Sequence, residues 1–192
     1  MNLSGLIVAT GNPLRRDDGV AHAVAACFEG DPRVGLRRVL QITPEIAAEM
    51  AGYDSVVFVD ADVMVARVTM AFVSESESDL CPALTHASTP PEIVALSRNL
   101  FGFAGTALVC RLPVDDLSSG EGLSRRATEA AALAISELGQ WRENYLNDGP
   151  PERTTPECDA KRAFASRAGV PLLPENTPVH SRQQTAHGFV RA

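Results

Sequence analysis

The sequence predicts a single α/β domain built around a parallel sheet, and three observations carry that prediction. Across residues 3–147 short apolar runs alternate with segments of helical periodicity, the pattern of strands joined by crossover helices. One of those runs, Ser-Val-Val-Phe-Val-Asp over 55–60, shows no polar alternation, as expected of a strand covered on both faces. A chain of 192 residues with 45% hydrophobic residues is also long enough to close one core without disulfides or a structural metal.

The elements follow in order. Residues 6–9, Leu-Ile-Val-Ala, read as a buried first strand that Gly11-Asn12-Pro13 breaks. A helix over 18–28 follows, with Val20, Val24 and Cys27/Phe28 at helical spacing. Residues 34–41 are the second strand. Thr43 then offers an N-cap and Pro44 a first-turn proline for a helix through Met50. The third strand is 55–60, ending in Asp60, and the fourth 67–73. The acidic, serine-rich stretch 74–79 is a loop. Ser88 or Thr89 caps a helix over 90–100, residues 106–112 form the last strand, and an alanine-rich helix occupies 123–146.

Beyond Asn147 the character changes. Six of the 13 prolines fall within 150–178, in a stretch with little periodicity that cannot bury enough apolar area to offset its ordering entropy. The expectation is an α/β domain over 1–147 and a Pro-rich, mostly disordered tail over 148–192, with room for a short ordered piece at 160–168.

Composition excludes several function classes. Seventeen basic against 24 acidic side chains give a net charge of −7, which argues against a nucleic-acid partner, and Lys161 is the sole lysine. Cys27, Cys81, Cys110 and Cys158 stand singly, without the paired spacing of a zinc site or a disulfide framework. The opening apolar run has no basic leader, and nowhere do 18 apolar residues run together, so a cytoplasmic protein with no membrane span is expected.

In open α/β sheets ligands bind beyond the carboxyl ends of the strands. Three segments occupy such positions: 11–19 with Asp17 and Asp18, 60–62 with Asp60, and the loop carrying His86. Two carboxylates and one imidazole would make an oxygen/nitrogen ligand set suited to a borderline divalent ion such as nickel or zinc. Each residue also has a plainer reading: Asp18 as a helix N-cap, Asp60 as a loop cap, His86 as a solvated loop histidine. His22 is expected to face outward, and His180 and His187 fall in the tail. No Ser/His/Asp or Cys/His/Asn local motif is visible, and G-x-S-x-G is absent.

Two other site readings fit the residues less well, a dinucleotide site and a receiver-like signalling domain. The 11–19 loop lacks G-x-G-x-x-G spacing, and its acids would repel a pyrophosphate. A phospho-accepting receiver domain would need a lysine at the end of the last strand, where Pro113 and Val114 stand instead.

Taken together, Gly11-Asn12-Pro13-Leu14 through Asp17-Asp18-Gly19-Val20, Gln41-Ile42-Thr43-Pro44-Glu45, Val59-Asp60-Ala61 and His86-Ala87-Ser88-Thr89-Pro90 resemble the hydrogenase maturation proteases in order and spacing. These endopeptidases trim the C-terminus of the nickel-iron hydrogenase large subunit. The resemblance covers about residues 3–140 and looks closest to the soluble, cofactor-linked hydrogenase branch. It implies a three-layer α/β/α sandwich with a twisted, mostly parallel five-stranded sheet. It also implies that Asp18, Asp60 and His86 engage nickel already installed in the large-subunit precursor, so that the metal belongs to the substrate and the free enzyme holds it weakly. Ala21 departs from the pattern, since many relatives have glycine there, and the tail has no counterpart. The sequence leaves open which carboxylate acts as general base, with Asp17 the neighbouring candidate. It leaves open, too, whether the nickel polarises the peptide bond or only docks the enzyme. A non-catalytic protein of the same fold that checks nickel loading is the alternative from another class; oligomeric state is not legible.

Overall fold

The computed structural model describes residues 5–73 and 88–147. His86, Cys81, Cys158, His180, His187 and the expected tail 148–192 lie outside the described residues.

Five strands form one sheet: β1 Gly5–Thr10, β2 Val34–Val39, β3 Ser55–Asp62, β4 Thr69–Phe72 and β5 Thr106–Pro113. Their spatial order is β2-β1-β3-β5-β4. All neighbours pair in parallel except β4, which runs antiparallel at the edge beside β5. This order differs from the all-parallel 2-1-3-4-5 sheet of a receiver-like domain. The helices are α1 Val20–Ala26, α2 Ile46–Met50, α3 Pro90–Phe101 and α4 Arg125–Asn147.

Strand alternation sorts the sheet into two cores. Ile7 and Ala9 of β1, Val57 and Val59 of β3, and Leu108, Cys110 and Leu112 of β5 pack with α1 and α4. Leu6 and Val8, Val56 and Phe58, Ala107 and Val109 pack with α2 and α3. Helices therefore cover both faces, which is the expected three-layer α/β/α sandwich with a mostly parallel five-stranded sheet. No helix among the described residues is long and apolar enough to cross a membrane.

The structure revises two of the expected element ends. Thr43 does not cap a helix: Thr43, Pro44 and Glu45 form a turn in which the Thr43 carbonyl accepts from Ile46 N–H, so α2 begins only at Ile46. A proline fits such a turn as well as a first helical position, which is why the signal misled. The third strand runs past Asp60 to Asp62, because backbone pairing with β5 continues through Asp60↔Arg111 and Asp62↔Pro113 whatever the side chains. At α3 the expectation holds, with Thr89 and Glu92 closing a capping box and Gly102 ending the helix in left-handed conformation.

Candidate active site at the carboxyl edge of the sheet

The first candidate segment is a tightly folded loop. Gly11 has φ of +135°, and a Cβ there would run into the backbone carbonyl of Asp18, so this position requires glycine. Arg16–Gly19 forms a 3-10 turn leading into α1. The N-cap reading of Asp18 fails here: α1 begins after Gly19 without a side-chain cap, and the Asp18 carboxylate instead accepts from Asn12 N–H at 3.0 Å. This hydrogen bond holds Asp18 inward over the end of β1, and the turn packs against β3.

Asp17 takes the opposite part. It is fully buried, and its carboxylate accepts from Asp115 N–H at 3.1 Å, Asp116 N–H at 3.0 Å, Ser124 N–H at 2.6 Å and the Ser124 hydroxyl at 2.8 Å. Burial works to raise its pKa, but the hydrogen bonds from Ser124, Asp116 and Asp115 outweigh it and bring the carboxyl below its usual range. Ser124 in turn accepts from Ala127 N–H at the start of α4. Asp17 therefore ties the β1–α1 loop to the β5–α4 loop, and four hydrogen bonds commit both of its carboxylate oxygens to that tie. Its place as the neighbouring candidate base is withdrawn on that ground.

Asp60 sits on β3 with its Oδ1 accepting from Ala61 N–H at 2.9 Å. Burial first, then the charges of Asp18 and Asp62, raise its pKa to about 6, against the Ala61 hydrogen bond and the Arg111 guanidinium, which lower it. The two acids singled out by sequence therefore feel one another. Continuing the Ala9↔Val59 register by one residue sets Thr10 beside Asp60, and Asp60 pairs with Arg111, which pairs with Thr69. By strand alternation all four belong to the α2/α3 face, so Thr10, Asp60, Arg111 and Thr69 make a polar row across four strands. Thr10 Oγ1 is buried and, among the described residues, has no hydrogen-bond partner. Sequence inspection missed Thr10 and Arg111; only strand order and register bring them to Asp60.

The second motif segment reaches the same edge. Ser88 N–H donates to the Ile42 carbonyl at 2.9 Å, linking the residue two places after His86 to the chain just beyond β2. His22 is half-buried rather than outward-facing, its Nε2 3.2 Å from the Val39 carbonyl at the end of β2, so Nε2 carries the proton. Asp62 accepts from Met64 N–H at 2.7 Å and lies 3.6 Å from Arg111, which makes it part of the β3–β4 turn. Cys110 is buried in the other core, and burial pushes its thiol up to about 12, so it is no nucleophile. Among the described residues no cluster of three or more His, Cys, Asp or Glu is arranged to hold a metal ion.

No protein-family model matches the sequence, and no characterised protein matches it by sequence. Its fold does have solved counterparts. The hydrogenase maturating endopeptidase HybD from E. coli superposes with a TM-score of 0.59 at 14% identity, over 73% of this chain and 93% of that one. The [NiFe] hydrogenase maturation protease HycI from Thermococcus kodakarensis gives 0.56 at 18% identity, over 72% and 91%. An uncharacterized protein from Wolinella succinogenes gives 0.52 at 26% identity, over 72% and 95%. With its five-stranded order, its two covering layers and its folded 11–19 loop, the chain has the fold of the hydrogenase maturation endopeptidases.

Proposed function

We propose that the protein is an endopeptidase that removes a C-terminal peptide from the nickel-loaded precursor of a nickel-iron hydrogenase large subunit. The observation that carries this reading is that the folded 11–19 loop with Asp18 and the end of β3 with Asp60 lie at the same carboxyl edge of the sheet, in a fold shared with such endopeptidases. Two carboxylates held at one edge form a receptor for a divalent cation. His86 joins them from the sequence motif. The nickel, bound already in the precursor, supplies Lewis-acid polarisation of the scissile carbonyl.

The chain's own residues do the rest. The Asn12 hydrogen bond holds the Asp18 carboxyl group in place. Asp60, with a pKa near 6, is tuned to accept a proton from the attacking water and return it to the leaving nitrogen near neutral pH. Thr10, its neighbour with a spare hydroxyl, can hold that water in line. Discrimination follows from charge: a precursor without nickel brings nothing to offset the two acids.

The test offers chelator-stripped protein the nickel-loaded and the nickel-free large-subunit precursor of its own source organism and follows both by mass spectrometry. A fixed mass loss from the loaded precursor alone is expected. Equal cutting of both, or activity restored only by adding zinc to the enzyme, overturns the substrate-metal reading; retention of the loaded precursor without any cut favours the non-catalytic checker.

A further inference from the structure

The polar row on the α2/α3 face does not end at the acids. Past Arg111 it opens into a groove of about 480 Å³, within the range of ligand pockets. Its floor is Ala71 of β4 and Val109 of β5, Pro90 and Pro91 at the start of α3 form a wall, and Thr69 and Arg111 stand at the end nearest Asp60. The groove is thus mostly apolar, with Thr89 beside the prolines, and is cationic only where it meets the site. It also runs beside β4, among the described residues the edge strand of the sheet, where a second chain can lie extended and pair its backbone.

We propose that this groove holds the part of the precursor beyond the scissile bond, as an extended segment with apolar side chains at alternate positions. This rests on the endopeptidase reading above. A folded body bearing a metal is far too large for the cavity, whereas the segment to be released must be extended to present its first bond to Asp60. Arg111 then marks the bond-side end, neighbouring Asp60 in register and half-exposed, with Asp62 at 3.6 Å as its ion-pair partner. Hydrolysis adds water across the peptide bond: the carbonyl carbon gains the hydroxyl, the nitrogen leaves with the other proton as an amine, and the proton shed by the new carboxylic acid makes that amine an ammonium. That new ammonium lies beside Asp18 and Asp60, so the excised peptide holds on and competes with fresh precursor.

Two arms test this. In the first, random heptapeptides with free amino ends are panned on the immobilised full chain. Wild type should enrich sequences with apolar residues at alternate positions, Ala71→Asp should lose that enrichment at least tenfold, and Leu133→Asp, on exposed α4, should keep it. Ala71 is exposed, so its substitution spares the core, and Ala71→Trp, which fills the groove, should lose binding in the same way. No enrichment by wild type, or enrichment that both Ala71 variants retain, overturns the proposal. In the second arm, the peptide excised in the processing reaction is resynthesised and added back. It should inhibit wild type, and at least ten times more should be needed against Ala71→Asp. Processing without such inhibition sinks the groove and spares the endopeptidase; peptide selection without processing does the reverse.

Discussion

The two ends of the sheet use their polar residues differently. At the amino ends, Ser55 Oγ accepts from Trp141 Nε1 at 2.9 Å and from the Thr106 hydroxyl at 3.0 Å, while the Trp141 ring lies so close over Gly5 that a Cβ there would come within 2.6 Å of it. Asp31 is matched by Arg33 and by Arg142 at 3.1 Å; burial alone would raise its pKa, but the Arg33 hydrogen bonds and the two guanidinium charges bring it down. There every group has a partner, and the partners are structural. At the carboxyl ends Asp60 is raised to about 6 by burial and by like charge, and the Thr10 hydroxyl has no partner among the described residues. Polar groups satisfied at one end and frustrated at the other mark the second as the place where something else binds.

The sharpest way to break this contrast is to remove the frustrated acids. Asp18→Ala, Asp60→Ala and His86→Ala should each lose processing by a thousandfold or more, about 4 kcal/mol in barrier, while melting within a few degrees of wild type. Asp62→Ala, sharing the charge and neighbourhood of Asp60 but serving the β3–β4 turn, should lose far less. Normal processing by His86→Ala, read as a precursor shift on a gel, would remove it from the site.

Asp17 tests the boundary, because it lies at the active end yet is bonded like the residues of the other. Asp17→Ala should cost about 3 kcal/mol, since it strips three backbone N–H groups and the Ser124 hydroxyl of their acceptor. That is a fall of roughly 10 °C in melting temperature for a domain of this size. A melting temperature close to that of Asp18→Ala would show that Asp17 is no clamp.

Asp60→Asn sharpens the comparison through pH. The native pKa of about 6 lies above the ordinary aspartate value of about 4, so the native state binds the proton more tightly. Wild-type stability is therefore lost as pH rises from 4 through 6, and the neutral amide escapes the loss. The variant should be more stable by about 2 kcal/mol above pH 7, with the difference gone below pH 4, in urea melts across that range. A variant less stable at pH 8 would contradict frustration at this residue.

The smallest effect belongs to the satisfied end. Thr106→Val keeps the shape of the side chain but drops its hydrogen bond to Ser55, so about 1 kcal/mol of stability should go while processing is unchanged. A change in processing rate would mean the two ends are coupled.

How much of this was legible in the sequence follows the range of the interactions. Strands and helices rest on local periodicity, and residues 6–9, 55–60 and 106–112 were plain from their apolar runs. The end of β3 was not, because an aspartate reads as a stop while ladder hydrogen bonds are indifferent to it. Asp18 and Asp60 stood out from strand-end topology. Their repulsion did not, since it depends on how the 11–19 loop folds back over β3. Asp17 looked like Asp18 in sequence and proved its opposite: its partners are about 100 residues away, and no local pattern announces them. Arg111 and Thr10 needed the strand order, with β5 rather than β4 beside β3, before they could be placed.

The Asp17–Ser124 bond also bears on the order in which the protein becomes competent as it leaves the ribosome. Strands β1, β2 and β3 emerge first and can pair, yet the Asp17 carboxylate gains its partners only as residues 115, 116 and 124 follow, the last of them 107 positions later. A nascent or truncated chain ending before those residues would leave Asp17 without its partners and the turn beside Asp18 untied, so the cleavage proposed above would be withheld until nearly the whole domain has been made.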